Sequence, residues 1–247
     1  MDAPIAAAYG FGLVLLRTAA LCSTAPILAA RVVPQRIRLS IAFALALAVH
    51  AGAGSPAVAP PATILGLAGA AASETVLGLL AGLTARWALE AALAAGHLAG
   101  LSAGLGFSAL VDPLTGAESS AVSQTLFIGA QGAAVALGIH REAVVWLARS
   151  VAVWPPGTHA DLGTLAWHAV GQAVVAIALA VRLAFPILGA VLVGHLVMGL
   201  LTRMAPQLNL SNVGFSIAIL AGGIALYLTA PSIAELAARA AIAAFQG

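Results

Sequence analysis

An all-α, membrane-associated protein is predicted, and three observations predict it. Of 247 residues, 62% are hydrophobic and only 7% charged, against about 25% charged in soluble domains. The mean hydropathy is +1.07. The apolar residues also fall into long runs, several near the roughly 20 residues a helix needs to cross a hydrocarbon core of about 30 Å. Short connectors rich in Arg, Pro, Asn and Gly separate them. The expected architecture is one of long bent helices and helical hairpins.

The first run covers residues 4–30. It starts with Asp2 and no basic stretch, so it is read as a retained helix rather than a cleaved signal peptide. The connector RVVPQRIR (31–38) follows; the positive-inside rule puts it in the cytoplasm and Asp2 outside. A second run, 37–53, ends in the Pro-rich GAGSPAVAPPA (52–62). The third, 62–111, is interrupted only by Glu74, Arg86, Glu90 and His97. As one helix it would reach about 75 Å, more than twice a bilayer core. TARWALEAAL, around Arg86, nevertheless contains no turn residue. Runs 121–139 and 143–154 precede the turn PPGTHADLG (155–163). The stretch 162–202 poses the same length problem, with only Arg182 and Pro186 to break it. A polar turn, RMAPQLNLSN (203–212), leads to the last run, 213–245. Glu74, Arg86, Glu90 and Arg182 are costly in lipid. Part of this apolar surface is therefore expected to be buried by protein.

The most informative segment is 96–124. Gly96, Gly100 and Gly104 are spaced one helical turn apart, leaving a face without side chains that admits another backbone to close range. Directly after it comes FSALVDPLTGAESSAVSQ. Pro113 fixes φ and Gly116 permits positive φ, so Asp112–Pro113 and Thr115–Gly116 are turn chemistry. A rigid apolar helix thus delivers a short polar loop, which suits a gate or plug better than a catalytic pocket.

Several function classes are excluded or disfavoured. All ten basic residues are Arg, and the net charge is +2. No polybasic run or aromatic–basic alternation occurs, so no nucleic-acid partner is expected. Cys22 is the single cysteine, which excludes an internal disulfide and a Cys-cluster metal site; it reads as a small packed residue. No two of the six histidines have the helical spacing of a chelating pair. Glu90 and His97 share a helix face, and a proton relay there is the minority reading. Glu74, Arg86 and Glu90 could line an ion path, but Arg86 and Glu90, four apart, more simply neutralise each other. No nucleophile–base pair and no phosphate-binding Gly loop is present. No catalytic, metal-binding or cofactor-binding residue is expected, and no cofactor.

Five segments, in order, resemble the FliR/SctT family of type III secretion export-gate subunits. They are RTAALCSTAPILAARVVPQRIRLSIAFALAL (17–47), ETVLGLLAGL (74–83), AGLSAGLGFSALVDPLTGAESSAVSQ (99–124), GIHREAVVWLARSVAVWPPG (138–157) and LAFPILGAVLVGHLVMGLLTRMAPQLNLSNVGFSIAIL (183–220). The second carries Glu74, Gly78 and Gly82; the fourth Ser150 and Pro156–Gly157; the fifth Arg203, Pro206–Gln207 and Asn209.

The resemblance implies a non-enzymatic subunit of the flagellar type III export gate in the bacterial inner membrane and flagellar basal body. It implies a FliP-like part (1–178) followed by a FliQ-like helical hairpin (179–247). The partners implied are FliP-like and FliQ-like subunits, FlhB-like and FlhA-like export components, and unfolded export substrates. A plug loop would lie at about 106–120, with Gly106, Phe107, Asp112, Pro113, Gly116 and Glu118. Helix packing would involve Gly78, Gly82, Gly96, Gly100 and Gly104, and the hairpin would turn at Arg203, Pro206, Gln207 and Asn209. The alternatives are an injectisome export-gate subunit and, further off, a small secondary transporter with helices broken near Pro26 and Pro186.

Overall fold

The computed structural model describes residues 2–30, 33–104, 121–158, 161–204 and 211–246. They form seven α-helices, and no strand occurs among them. These are α1 (Asp2–Thr24), α2 (Gln35–Gly52), α3 (Ile64–Ser102), α4 (Ala121–Ala136), α5 (Ile139–Val153), α6 (Leu162–Met204) and α7 (Ser211–Ala243).

The helix boundaries follow local chemistry. Pro34 precedes α2 with φ −58°, a value set by its ring. Thr63 caps α3, its Oγ1 accepting from the Gly66 amide at 3.2 Å. That satisfies one of the four amides a helix start leaves unpaired. Asp161 caps α6 with both carboxylate oxygens: Gly163 N donates at 3.0 Å and Thr164 Oγ1 at 2.6 Å. The Thr164 hydroxyl, then the two amides, hold this exposed carboxyl below its ordinary pKa. Gly138, at φ 88°, separates α4 from α5, and the two helices are bent by 62°. A left-handed turn of that kind favours glycine.

The length problem is resolved by continuous helices. α3 runs 39 residues straight through Arg86, about 58 Å at 1.5 Å per residue. α6 runs 43 residues through both Arg182 and Pro186, about 65 Å on the same rise. Among the described residues, four helices are long and apolar enough to cross a membrane, or up to five if the α4–α5 pair forms one span. The predicted glycine face needs one correction. α3 ends at Ser102, and Gly104 stands beyond it at φ 75°. Gly104 is therefore a helix-stop glycine rather than the third member of the Gly96–Gly100 face.

The chain divides into two compact units. The first comprises Met1–Trp87, Leu137–Val174 and Ala240–Gly247, with Leu13, Val14, Leu21, Ala46, Leu77 and Leu147 in its core. The second comprises Ala88–Ala136 and Val175–Arg239, and its core includes Leu89, Ala92, Leu126, Ala130, Ile187 and Val191. Small residues bring its helices close. A Cβ on Gly96 would fall on the Ser123 backbone of α4, and one on Gly222 would sit 2.8 Å from Ala103 Cβ. The close approach at Gly96 is thus made within this chain.

Candidate functional site

The first unit holds the chain's most unusual chemistry, a sealed charged cluster. Arg17 lies in α1 and Glu74 in α3, 57 residues apart. Arg17 Nε donates to Glu74 Oε2 at 2.6 Å, and the two side chains are 0% and 1% exposed. A buried ion pair gains over its desolvation cost only when its remaining donors and acceptors are also met. Here they are. Arg17 Nη1 donates to Ser150 Oγ of α5 at 3.1 Å, and Nη2 to the Trp154 carbonyl at 2.9 Å. Glu74 Oε1 accepts from the Gly157 amide at 3.1 Å.

Each element is placed for a reason. Ser150 donates its own proton to the Leu147 carbonyl at 2.8 Å, which leaves an oxygen lone pair for Arg17. Gly157 has φ 82°, and a Cβ there would stand 2.8 Å from Val58 Cγ1, so both conformation and space call for glycine. The segment containing Val58 is tied to α1 by Val58 N donating to the Ala6 carbonyl at 3.1 Å.

Gly78 and Gly82, one turn apart on α3, bring that helix onto α1. A Cβ on Gly78 would collide with the Arg17 carbonyl oxygen, and one on Gly82 with Thr24 Oγ1. Thr24 Oγ1 in turn donates to the Leu79 carbonyl at 3.2 Å. The glycines therefore set the helix separation at which Arg17 and Glu74 meet.

Both charged side chains are buried, and each of their nitrogens and oxygens has a partner. The cluster can hold α1, α3, α5 and the 154–157 turn together, but Glu74 is not placed to line an ion path. Sequence reasoning missed Arg17 as its partner. The available signal was that Arg17, Glu74, Ser150 and Gly157 lie in three of the five family-like segments.

The other predicted site residues stand as follows. Gly96 and Gly100 are buried in α3. Arg203 is exposed in the last turn of α6. Gly106, Phe107, Asp112, Pro113, Gly116 and Glu118 of the expected plug lie outside the described residues, as do Pro206, Gln207 and Asn209. No group of three or more His, Cys, Asp or Glu positioned for a metal occurs among the described residues.

Among the described residues, helices alone and four to five of them long and apolar enough to cross a membrane define the multi-pass membrane class. Residues 8–242 match the family described as bacterial export proteins, family 1. The chain is similar to the flagellar biosynthetic protein FliR of Escherichia coli (strain K12), 31% identical over 209 residues, 84% of this chain and 79% of that one. FliR of Caulobacter vibrioides is 28% identical over 227 residues, 92% and 90% of the two chains. FliR of Pectobacterium carotovorum is 29% identical over 233 residues, 90% and 84%. The chain belongs to this family of bacterial export proteins, and it is a multi-pass membrane component of the flagellar export apparatus.

Proposed function

We propose that this chain is a non-enzymatic subunit of the protein-conducting gate, assembling with FliP-like and FliQ-like chains and closing the pore with residues 106–120. One observation carries the assembly part. α6 exposes large apolar side chains along its whole length, from Trp167 (77% exposed) through Phe185 (71%) to Met204 (81%). That helix is 43 residues long, about 65 Å, and a hydrocarbon core covers about 30 Å. Lipid cannot cover the remainder, and apolar patches left to water mark interaction sites. Other chains are the natural cover, with residues 179–247 as a hairpin packing beside them and Arg203, Pro206, Gln207 and Asn209 at its turn.

The gating part rests on sequence. Asp112, Pro113, Gly116 and Glu118 make 106–120 a polar loop with turn residues, following the packed α3. A channel for unfolded protein must hold back ions at rest, since each charge crossing is worth about 2.3 kcal/mol per 100 mV. The loop would occupy the closed pore and move aside for substrate, pivoting at Gly106 and Gly116. Deleting 110–118 tests this. The deleted complex should assemble and conduct small ions in patch-clamp recordings. An assembled deletion complex with wild-type conductance reduces 106–120 to a connector.

A further inference from the structure

We propose that the first unit binds an anionic phospholipid, with an acyl chain seated in an apolar cavity lined by α1, α2 and α5. The cavity has a volume of about 190 Å³, and its walls include Leu21, Cys22, Leu45, Ala143, Leu147 and Phe245. Leu21, Cys22, Leu147 and Phe245 are each no more than 4% exposed, so its floor is core. Val144 also lines it and is 39% exposed, so one side opens outward. Protein interiors hold few voids larger than a water molecule. An apolar cavity of about 150 Å³ stays dry and takes up benzene-sized apolar guests. Water is thus a poor occupant here, and the hydrocarbon around α1 is a good one.

The rim supplies the argument for an anionic headgroup. His140 is the single titratable side chain with a basic nitrogen in the lining. Leu28 also lines the cavity, and its carbonyl accepts from Arg38 Nε at 2.8 Å; the Ala30 carbonyl accepts from Arg38 Nη2 at 3.3 Å. Those bonds fix a guanidinium beside Leu28, one of the lining residues. Arg36, two residues before it, is exposed. Beside His140, the carboxylate of Glu142 is engaged by Arg141 at 3.2 Å. A cation beside Leu28 and an imidazole in the lining thus adjoin an apolar slot, which is complementary to a phosphodiester carrying a fatty chain. Basic segments on the cytoplasmic side, where the positive-inside rule puts 31–38, attract anionic lipid.

The test uses the chain in the complex purified from membranes. After delipidation, phosphatidylglycerol or phosphatidylcholine is added back, and bound lipid is counted by native mass spectrometry. Cys22, the sole cysteine, is followed by its reaction with N-ethylmaleimide. Phosphatidylglycerol should be retained at least tenfold better than phosphatidylcholine and should slow Cys22 labelling at least tenfold. Ala143→Phe, which fills the cavity, should remove both effects. His140→Glu, at an exposed rim position, should weaken phosphatidylglycerol retention while leaving the complex intact. Equal retention of the two lipids, or retention unaffected by either variant, overturns the proposal.

Discussion

Arg17 and Glu74 meet at 2.6 Å with both side chains buried, and their other described bonds reach Ser150 of α5 and, twice, the 154–157 turn. The pair gathers α1, α3, α5 and the turn at Gly157 around one point. Breaking one partner of such a pair leaves an uncompensated buried charge, typically costing about 3–5 kcal/mol. Arg17→Met or Glu74→Leu alone should therefore lower the melting temperature of the purified complex sharply. Combining the two should recover much of the loss. A double variant no better than the worse single one would show that the pair's geometry, not its charge balance, is what matters.

Gly78 should not tolerate a methyl group. Its Cβ would meet the Arg17 carbonyl, which is backbone and cannot step aside. Overpacking costs about 1–3 kcal/mol, so Gly78→Ala should destabilise clearly. Gly171 is the control, with nothing within 4 Å of an added Cβ; Gly171→Ala in helix α6 should be neutral or stabilising by about 0.5–1 kcal/mol. Thermal unfolding of the two variants side by side checks this, and equal melting temperatures would dismiss the close α1–α3 approach.

Gly157→Ala combines two penalties. The left-handed conformation costs a non-glycine residue about 1–2 kcal/mol, and the new methyl meets Val58 Cγ1 at 2.8 Å. The Gly157 amide should pull away from Glu74 and exchange its hydrogen faster. Unchanged amide exchange at Gly157 would mean that this turn is not held by the carboxylate.

Asp161 gives a pH dependence with a definite sign. Its folded pKa is lowered by the Thr164 hydroxyl and the Thr164 and Gly163 amides. The cap's contribution is therefore complete above the unfolded value of about 3.9 and fades as pH falls through the lower folded value. Amide exchange at Gly163, corrected for its intrinsic rate, should lose protection in that acid range. Asp161→Asn, a comparable cap without the titration, should not.

The sequence made some of this legible. Runs 37–53, 121–139, 143–154, 162–202 and 213–245 each correspond to a helix, because unbroken apolar stretches between Pro- and Gly-containing connectors have few other solutions. The continuity of α3 was legible too, in the missing turn residues around Arg86. The Gly104 break was less so. Regular spacing suggests a face, and only the backbone torsion reveals the stop. The pairing of Arg17 with Glu74 had no local signal, since 57 residues separate them and a buried charge announces a need for a partner, not its address. The packing of Gly96 on Ser123 likewise required knowing which helix returns to α3.

The cover on the apolar length of α6 is read most directly by purifying the tagged chain from membranes of secreting cells and weighing it by native mass spectrometry. The expected result is a stable hetero-oligomer that includes FliP-like and FliQ-like chains, with no stable species of this chain alone. A monodisperse monomer or homo-oligomer recovered from cells that still export would contradict its assignment as a gate subunit.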